Sequence, residues 1–282
     1  MEKTAVQAPP VPRLDHVMVL LDPADYQAVA DAPFLGSRFA RRKLKHADSS
    51  VAGSYSTLGL AGDNTLIELF GTPPAGAGAL VGGLVFSFEQ PGSSARARAV
   101  LDDAGVAYHQ DLVRRTLPGH DEPQPWYHRI SVGLGPACPM VLFLNEVTPA
   151  YLAAVGAAPA PDGSLTRAGY LDAVVGGSGD GMLMRDIESV TLVTTPERAA
   201  RLTAALAPVG FAAGDDGVLR GPDLTLRLCP AQGAPERITE IGIRLSGADT
   251  AEQREYTFGA ACRLVIDSPE SGRMLFSPSS HS

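Results

Sequence analysis

The chain has 282 residues, of which 45% are hydrophobic and 19% are charged, and its formal net charge at pH 7 is -8. This composition is typical of a globular protein with a core of its own and excludes a disordered chain. The acidic balance argues against nucleic acid or an anionic membrane as the main partner. No apolar run approaches the roughly 20 residues that a membrane helix needs.

The start of the chain and its cysteines indicate the compartment. Residues 1–12 lack the charged-then-apolar order of a signal peptide, and we expect a flexible leader there. The three cysteines, Cys138, Cys229 and Cys262, are far apart in the sequence and form no zinc or redox motif. Free thiols of this kind predict a cytoplasmic protein.

One structural unit recurs along the chain. An apolar strand leads into a helix that begins at or near a proline, and short strands follow. The copies begin at residues 14–21, 84–90 and 187–195, and a weaker fourth copy begins near residue 241. This repeat predicts an α+β fold of βαβββ modules, three clear and a fourth degenerate, paired into curved-sheet half-barrels. Such sheets enclose a ligand site between copies.

The elements of the first two modules follow from apolar alternation and turn residues. The first module is expected to have a helix at residues 23–30 and strands at 38–46, 54–60 and 65–70. In the second module a helix ends at Gly105, a natural C-cap, and strands follow at 108–117, 126–132 and 139–146.

The rest of the chain is expected to form a second domain. Residues 13–147 make the N-terminal domain of two modules, residues 148–185 a linker with a short helix near 150–155 and a glycine-rich segment, and residues 186–282 the C-terminal domain. The glycine segment at 176–181 follows no strand closely, which argues against a phosphate-binding loop. In the fourth copy, residues 249–255 are the place where a helix would fit.

His16 and Glu68 are candidate metal ligands. His16 lies at the centre of the first strand and Glu68 at the centre of the last strand of the first module, and both can point into the concave side of a curved sheet. An imidazole and a carboxylate together suit Fe, Mn, Zn, Ni or Co. The alternative is a histidine that packs against a structural glutamate, since a buried carboxylate needs a partner.

A third ligand is expected from the second module. Alignment of Pro23 with Pro91 places Leu84 at the position of His16, and leucine cannot bind a metal. The position of Glu68 falls near the end of the strand at 139–146, which makes Glu146 a candidate. His128 is the candidate replacement for Leu84, with a satisfied strand histidine as the alternative.

Other side chains are candidates for substrate contact. Tyr55, Trp126 and Arg129 are expected to line the same pocket, although packing alone would also explain each of them. A run of basic residues on one strand, residues 41–45, is typical of a solvated edge. One basic side chain of this run facing the concavity would bind an anionic substrate.

The sequence resembles the vicinal oxygen chelate superfamily, which includes glyoxalase, bleomycin-resistance and extradiol-dioxygenase proteins. The resemblance rests on residues 14–19, with their first-strand histidine, and on residues 64–70, with their last-strand glutamate. Residues 140–146 are similar to the closing strand of a second glyoxalase-like module, with Glu146 in the glutamate position. The resemblance implies βαβββ modules around a divalent metal that chelates vicinal oxygens of the substrate. The chain departs from it at Leu84 and in the absence of histidines from the C-terminal modules.

These observations predict a metal-dependent glyoxalase-like enzyme of isomerase, lyase or dioxygenase type. The metal would stabilise an enolate or carbonyl oxygen as a Lewis acid, and Glu146 would act as general base. The alternative is a non-catalytic protein of the same fold that binds or sequesters a small molecule. A third hypothesis is a structural or regulatory homodimer with a vestigial site. The C-terminal half is expected to act as a scaffold, to dimerise or to close the pocket.

Overall fold

The computed structural model describes residues 9–74, 80–119, 121–177, 179–247 and 254–277. Residues 1–8 of the expected leader lie outside the described residues, as do residues 249–253, where a helix of the fourth copy was expected to fit. Within the described ranges, none of the helices has the length and apolar character needed to span a bilayer.

The first two modules close into an eight-stranded barrel. Their elements are β1 (Arg13–Leu20), α1 (Pro23–Ala30), β2 (Arg41–Ser49), β3 (Gly53–Ala61), β4 (Leu66–Phe70), β5 (Gly82–Ser87), α2 (Ser93–Asp103), β6 (Tyr108–Arg115), β7 (Gln124–Val132) and β8 (Met140–Val147). The strand order is β1-β4-β3-β2-β6-β7-β8-β5. The first strand of each module pairs in parallel with the last strand of the same module, and β1 pairs with β5 in antiparallel fashion to join the two modules.

The second half forms an open sheet. After α3 (Pro149–Ala154) and α4 (Arg167–Val175), the chain continues through β9 (Met184–Thr194), α5 (Pro196–Leu206), β10 (Ala212–Ala213), β11 (Val218–Arg220), β12 (Thr225–Pro230), β13 (Arg237–Leu245), β14 (Glu255–Phe258), β15 (Cys262–Ser268) and β16 (Ser271–Phe276). The strand order in this sheet is β10-β11-β12-β9-β13-β16-β15-β14.

The predicted fold class, α+β with repeated βαβββ modules, is confirmed. The pairing of modules differs between the halves, since the N-terminal pair closes on itself while the C-terminal pair stays open among the described residues. The helix predicted near residues 150–155 is α3, whereas α4 was not predicted. Both helices begin at a threonine N-cap: Thr148 Oγ1 accepts a hydrogen bond from Tyr151 N, and Thr166 Oγ1 accepts one from Gly169 N.

The barrel and the open sheet share one continuous core. Buried apolar side chains from strands β1, β3, β4, β5, β7, β8, β9 and β11 to β16 and from helices α1, α2 and α5 form a single cluster. At the junction, Asp186 of β9 accepts hydrogen bonds from Asn64 N at 3.0 Å and from Asn64 Nδ2 at 3.1 Å. Asp63 N donates to the carbonyl of Arg185 at 2.6 Å. The division into two domains remains a prediction.

Candidate ligand cavity

The closed barrel encloses a cavity of about 640 Å³. This volume is in the range of sites that hold small organic molecules. All strands of the barrel contribute to its wall, and α3 and α4 cover part of it with apolar side chains. Aromatic rings make up much of the wall, among them those of Tyr55, Trp126, Tyr127, Phe143, Tyr151 and Tyr170.

A β-bulge in β1 turns two consecutive residues toward the cavity. In the pairing with β5, Leu14 faces Phe86 and His16 faces Val85, so Asp15 is an extra residue without a partner in the ladder. Side chains normally alternate between the two faces of a strand, and a bulge interrupts that alternation. Asp15 and His16 therefore both line the cavity.

Five side chains form a network of hydrogen bonds and ion pairs across this wall. His16 Nδ1 lies 2.9 Å from Asp15 Oδ1, and His16 Nε2 lies 3.3 Å from Glu68 Oε2. Glu68 Oε1 accepts a hydrogen bond from Lys45 Nζ at 2.5 Å and another from Thr57 Oγ1 at 2.9 Å. Both ring nitrogens of His16 thus face carboxylate oxygens.

A buried arginine contacts the Asp15 end of this network. Arg167 of α4 is 4% exposed, and its Nη2 lies 2.7 Å from Asp15 Oδ1. Ser87 Oγ donates a short hydrogen bond to Asp15 Oδ2. The helix is fixed at this point because Glu89 accepts a hydrogen bond from the backbone nitrogen of Arg167 at 2.7 Å.

The electrostatics of the wall keep both carboxylates ionised. Burial alone would raise the pKa of Asp15, but Arg167 and the hydrogen bonds from His16 and Ser87 outweigh it, so the pKa lies well below its ordinary value. Burial also opposes ionisation of Glu68, and the Lys45 ammonium together with His16 lowers the pKa of Glu68. Burial lowers the pKa of Lys45, but the nearby Glu68 carboxylate reverses this and raises it.

The residues of this wall do not fit a divalent metal. The two carboxylates next to His16 contact different ring nitrogens, so they do not converge on one point with the imidazole. The Lys45 ammonium already balances the negative charge of Glu68, which a bound metal ion would otherwise balance. Across the described ranges, no group of three or more His, Cys, Asp or Glu side chains is arranged to hold a metal ion.

The structure does not bring Glu146 to His16 and Glu68. Alternate residues in the second half of β8 line the cavity, namely Phe143, Asn145 and Val147, and Glu146 lies on the opposite face. There its carboxylate accepts hydrogen bonds from Gly92 N at 2.7 Å and Ser94 N at 2.6 Å, at the N-terminus of α2. The residue that corresponds to Glu68 in the second module is therefore Asn145, whose buried Oδ1 accepts no hydrogen bond from the described residues.

His128 also lies on the outer face of the barrel. It is paired with Glu146 in the register of β7 and β8, and it borders a surface depression beside Arg98 and Asp111. Strand alternation is the reason, since its neighbours Tyr127 and Arg129 face inward. The expected metal ligands Glu146 and His128 are thus neighbours of each other and remote from the cavity.

The three residues predicted to contact substrate all lie in the cavity wall, and their role remains a prediction. Tyr55 and Trp126 flank Lys45, whose Nζ lies 5.2 Å from the centre of the Tyr55 ring and 5.7 Å from that of Trp126. Arg129 forms a two-point ion pair with Asp111, at 3.1 Å through Nε and 2.6 Å through Nη2.

Sequence reasoning missed Asp15, Arg115, Tyr151, Arg167 and Tyr170. Asp15 carried a signal, because a charged residue beside His16 in an apolar strand needs a partner as much as the histidine does. Tyr151, Arg167 and Tyr170 lie in helices α3 and α4, inside the segment expected to be a linker, and the sequence holds no sign that this segment folds against the barrel.

Comparison with known proteins gives a family. The chain belongs to DUF5829, described as a family of unknown function, whose model matches residues 14–271. Among curated proteins, none matches the sequence.

Several solved structures are similar to this chain. The Mn(II)-bound glyoxalase from Novosphingobium aromaticivorans is 9% identical over 82% of this chain and 65% of its own, with a TM-score of 0.43. Homoprotocatechuate 2,3-dioxygenase from Brevibacterium fuscum is 10% identical over 79% and 62%, with a TM-score of 0.39. A hypothetical protein from Staphylococcus aureus is 9% identical over 79% and 87%, with a TM-score of 0.46. The chain spans less than two thirds of the length of the glyoxalase and of the dioxygenase.

Proposed function

We propose that this protein binds a small planar organic molecule in the barrel cavity, without a metal ion at His16 and Glu68. The observation that carries the proposal is the aromatic cavity of about 640 Å³, in which the carboxylates of Asp15 and Glu68 are already held by Arg167 and Lys45. Apolar and aromatic surface supplies affinity for a ligand, and a few polar groups fix its orientation.

A metal-dependent glyoxalase-like enzyme is the second candidate function. The observation in its favour is the position of His16 Nε2 and Glu68 Oε2, which lie 3.3 Å apart in the cavity wall. A metal at this pair would lie next to the Lys45 ammonium on Glu68 Oε1, and it would lack the third ligand expected from Glu146 or His128. We therefore place this candidate second and assign no reaction.

Metal content separates the two candidates. The wild-type protein and the double variant His16→Ala/Glu68→Ala are purified without chelators and without a histidine tag, and their metals are measured by elemental mass spectrometry. We expect far less than one metal per chain in both proteins, before and after incubation with Fe, Mn, Zn, Ni or Co. Near-stoichiometric metal in the wild type that is lost in the double variant would overturn the metal-free proposal.

Binding to the cavity is tested with the neutral fluorescent probe N-phenyl-1-naphthylamine. Trp126 is the single tryptophan of the chain and lies in the cavity wall, so a bound probe should quench its emission. We expect one binding site per chain. The variant Val85→Phe, which adds a ring to the wall, should weaken binding, and His109→Phe, on the exposed surface of β6, should leave it unchanged. Absence of binding to a folded wild-type protein would contradict the proposal.

A further inference from the structure

The cavity carries more positive than negative charge, although the whole chain is acidic. Among the described residues, its wall contains the cations Lys43, Lys45, Arg115 and Arg129 and the two carboxylates of Asp15 and Glu68. The chain as a whole has a net charge of -8. A cavity of one sign within a molecule of the opposite sign concentrates ligands of complementary charge.

Two of these four cations have a carboxylate partner. Lys45 is paired with Glu68 and Arg129 with Asp111. Lys43 donates a hydrogen bond to the carbonyl oxygen of Val174, and its side chain is exposed to solvent. Arg115 is the cation of the cavity wall that is half-buried and has no ion pair with the described residues.

Arg115 is held in place by uncharged groups. Its Nη1 donates to the hydroxyl oxygen of Tyr151 at 2.9 Å, and its Cζ lies 4.9 Å from the centre of the Trp126 ring. Its Nε is buried and makes no hydrogen bond with the described residues. An arginine has five N–H donors in a planar fork that suits a carboxylate. Arg115 is therefore oriented by Trp126 and Tyr151, and the described residues engage one donor of its guanidinium, at Nη1.

A β-bulge places the indole beside this guanidinium. In the pairing of β6 with β7, Val113 faces Tyr127 and Arg114 faces Pro125, so Trp126 is an extra residue. As a result Trp126 and Tyr127 both line the cavity. The Trp126 ring contacts two cations, since Lys45 Nζ is also 5.7 Å from its centre.

We propose that the ligand of this cavity is a planar organic acid whose anionic group is bound by Arg115, with its ring against the aromatic wall around Trp126. This inference rests on the proposed function, because it names the chemical class of the ligand of the same cavity. An anion at Arg115 would supply the charge that the wall lacks, and charge-assisted hydrogen bonds from a guanidinium are stronger than neutral ones.

Two probes with one aromatic scaffold test the proposal. The anion 8-anilinonaphthalene-1-sulfonate and the neutral N-phenyl-1-naphthylamine differ by a sulfonate. Their dissociation constants are measured by fluorescence titration on the wild type, on Arg115→Gln and on Arg115→Lys. The control is Arg114→Gln, which changes the neighbouring, exposed side chain of Arg114. Near-ultraviolet circular dichroism confirms that each variant has the wild-type fold.

We expect the wild type to bind the anionic probe more tightly by about tenfold to a hundredfold. Arg115→Gln should remove this preference and leave the affinity for the neutral probe unchanged, Arg115→Lys should retain part of it, and Arg114→Gln all of it. Equal binding of both probes, unaffected by Arg115→Gln, would overturn the anion site while leaving the cavity function intact. An equal loss of both probes in Arg115→Gln would show a packing role and also overturn it. Failure of both probes to bind the wild type would refute the proposed function itself.

Discussion

Asp15 and Arg167 form the most deeply buried ion pair of the cavity wall. The guanidinium of Arg167 is 4% exposed, and Asp15 is 8% exposed. Two charges removed from water lose hydration energy, and close contact with hydrogen bonds to the remaining atoms compensates for it. Ser87 and His16 supply those hydrogen bonds on the side of Asp15. Removal of one partner therefore leaves an uncompensated charge.

The ion pair predicts how stability depends on pH. The pKa of Asp15 is lower in the folded than in the unfolded chain, so its stabilisation is present above about pH 4, the ordinary value for a carboxyl group, and is lost as the pH falls toward the folded pKa. Asp15→Asn should lower the free energy of unfolding by about 3 kcal/mol at pH 7. The difference from the wild type should shrink at pH 3. Urea unfolding at both pH values measures it.

Two further variants control this measurement. Asp48→Asn removes an exposed carboxylate of β2 and should follow the wild type at both pH values. Adding Arg167→Met to Asp15→Asn removes the unpaired guanidinium and should restore part of the stability. A constant difference between Asp15→Asn and the wild type from pH 7 to pH 3 would contradict the assigned pKa shift.

At the scale of strands, alternation of side chains decides which residues enter the cavity. The first module was readable from sequence because His16 and Glu68 are polar residues inside apolar strands, and the structure places both in the wall. In the second module the end of β8 carries two adjacent polar residues, Asn145 and Glu146, and a one-residue shift of a strand exchanges its two faces. Alternation of side chains from Phe143 places Asn145 in the cavity wall. The preference of a metal for a carboxylate ligand instead favoured Glu146.

Bulges and distant segments limit what a sequence can predict here. Strand positions were predicted to within a few residues, because apolar alternation and turns are local properties. The bulges at Asp15 and Trp126 change the face of the strand on which single residues lie, without altering the local pattern of apolar residues in the sequence. The helices α3 and α4 contribute Tyr151 and Arg167 through contacts far apart in the sequence, and composition indicated a linker instead.

Glu146 has a role in helix α2 that can be measured. Its carboxylate accepts hydrogen bonds from two backbone nitrogens at the helix start, where a negative charge also interacts favourably with the helix dipole. We expect Glu146→Gln to lower the free energy of unfolding by about 1 kcal/mol and to leave the binding of both cavity probes unchanged. Glu122→Gln, in an exposed loop, should change neither quantity. A selective loss of probe binding in Glu146→Gln would instead place this residue in the ligand site.

At the scale of the whole molecule, the barrel and the open sheet meet through a tight backbone contact. A Cβ atom added at Gly62 would lie 2.2 Å from the carbonyl oxygen of Arg185, a distance that a real Cβ does not reach. The hydrogen bonds of Asp63 and Asn64 to the start of β9 are next to it. Because one apolar cluster continues through both halves, the two sheets should unfold together.

The variant Gly62→Ala tests this coupling. We expect it to lower the free energy of unfolding by about 1 to 3 kcal/mol, since overpacking forces the backbones apart. Trp126 fluorescence reports the barrel, and hydrogen exchange measured by mass spectrometry in β9–β16 reports the open sheet. Both signals should shift together in Gly62→Ala, and neither should shift in Gly179→Ala, where the added Cβ makes an ordinary contact of 3.6 Å with Asp63. Separate transitions for the two signals in the wild type would mean that the halves are independent domains, and the junction at Gly62 would then contribute little to the stability of either.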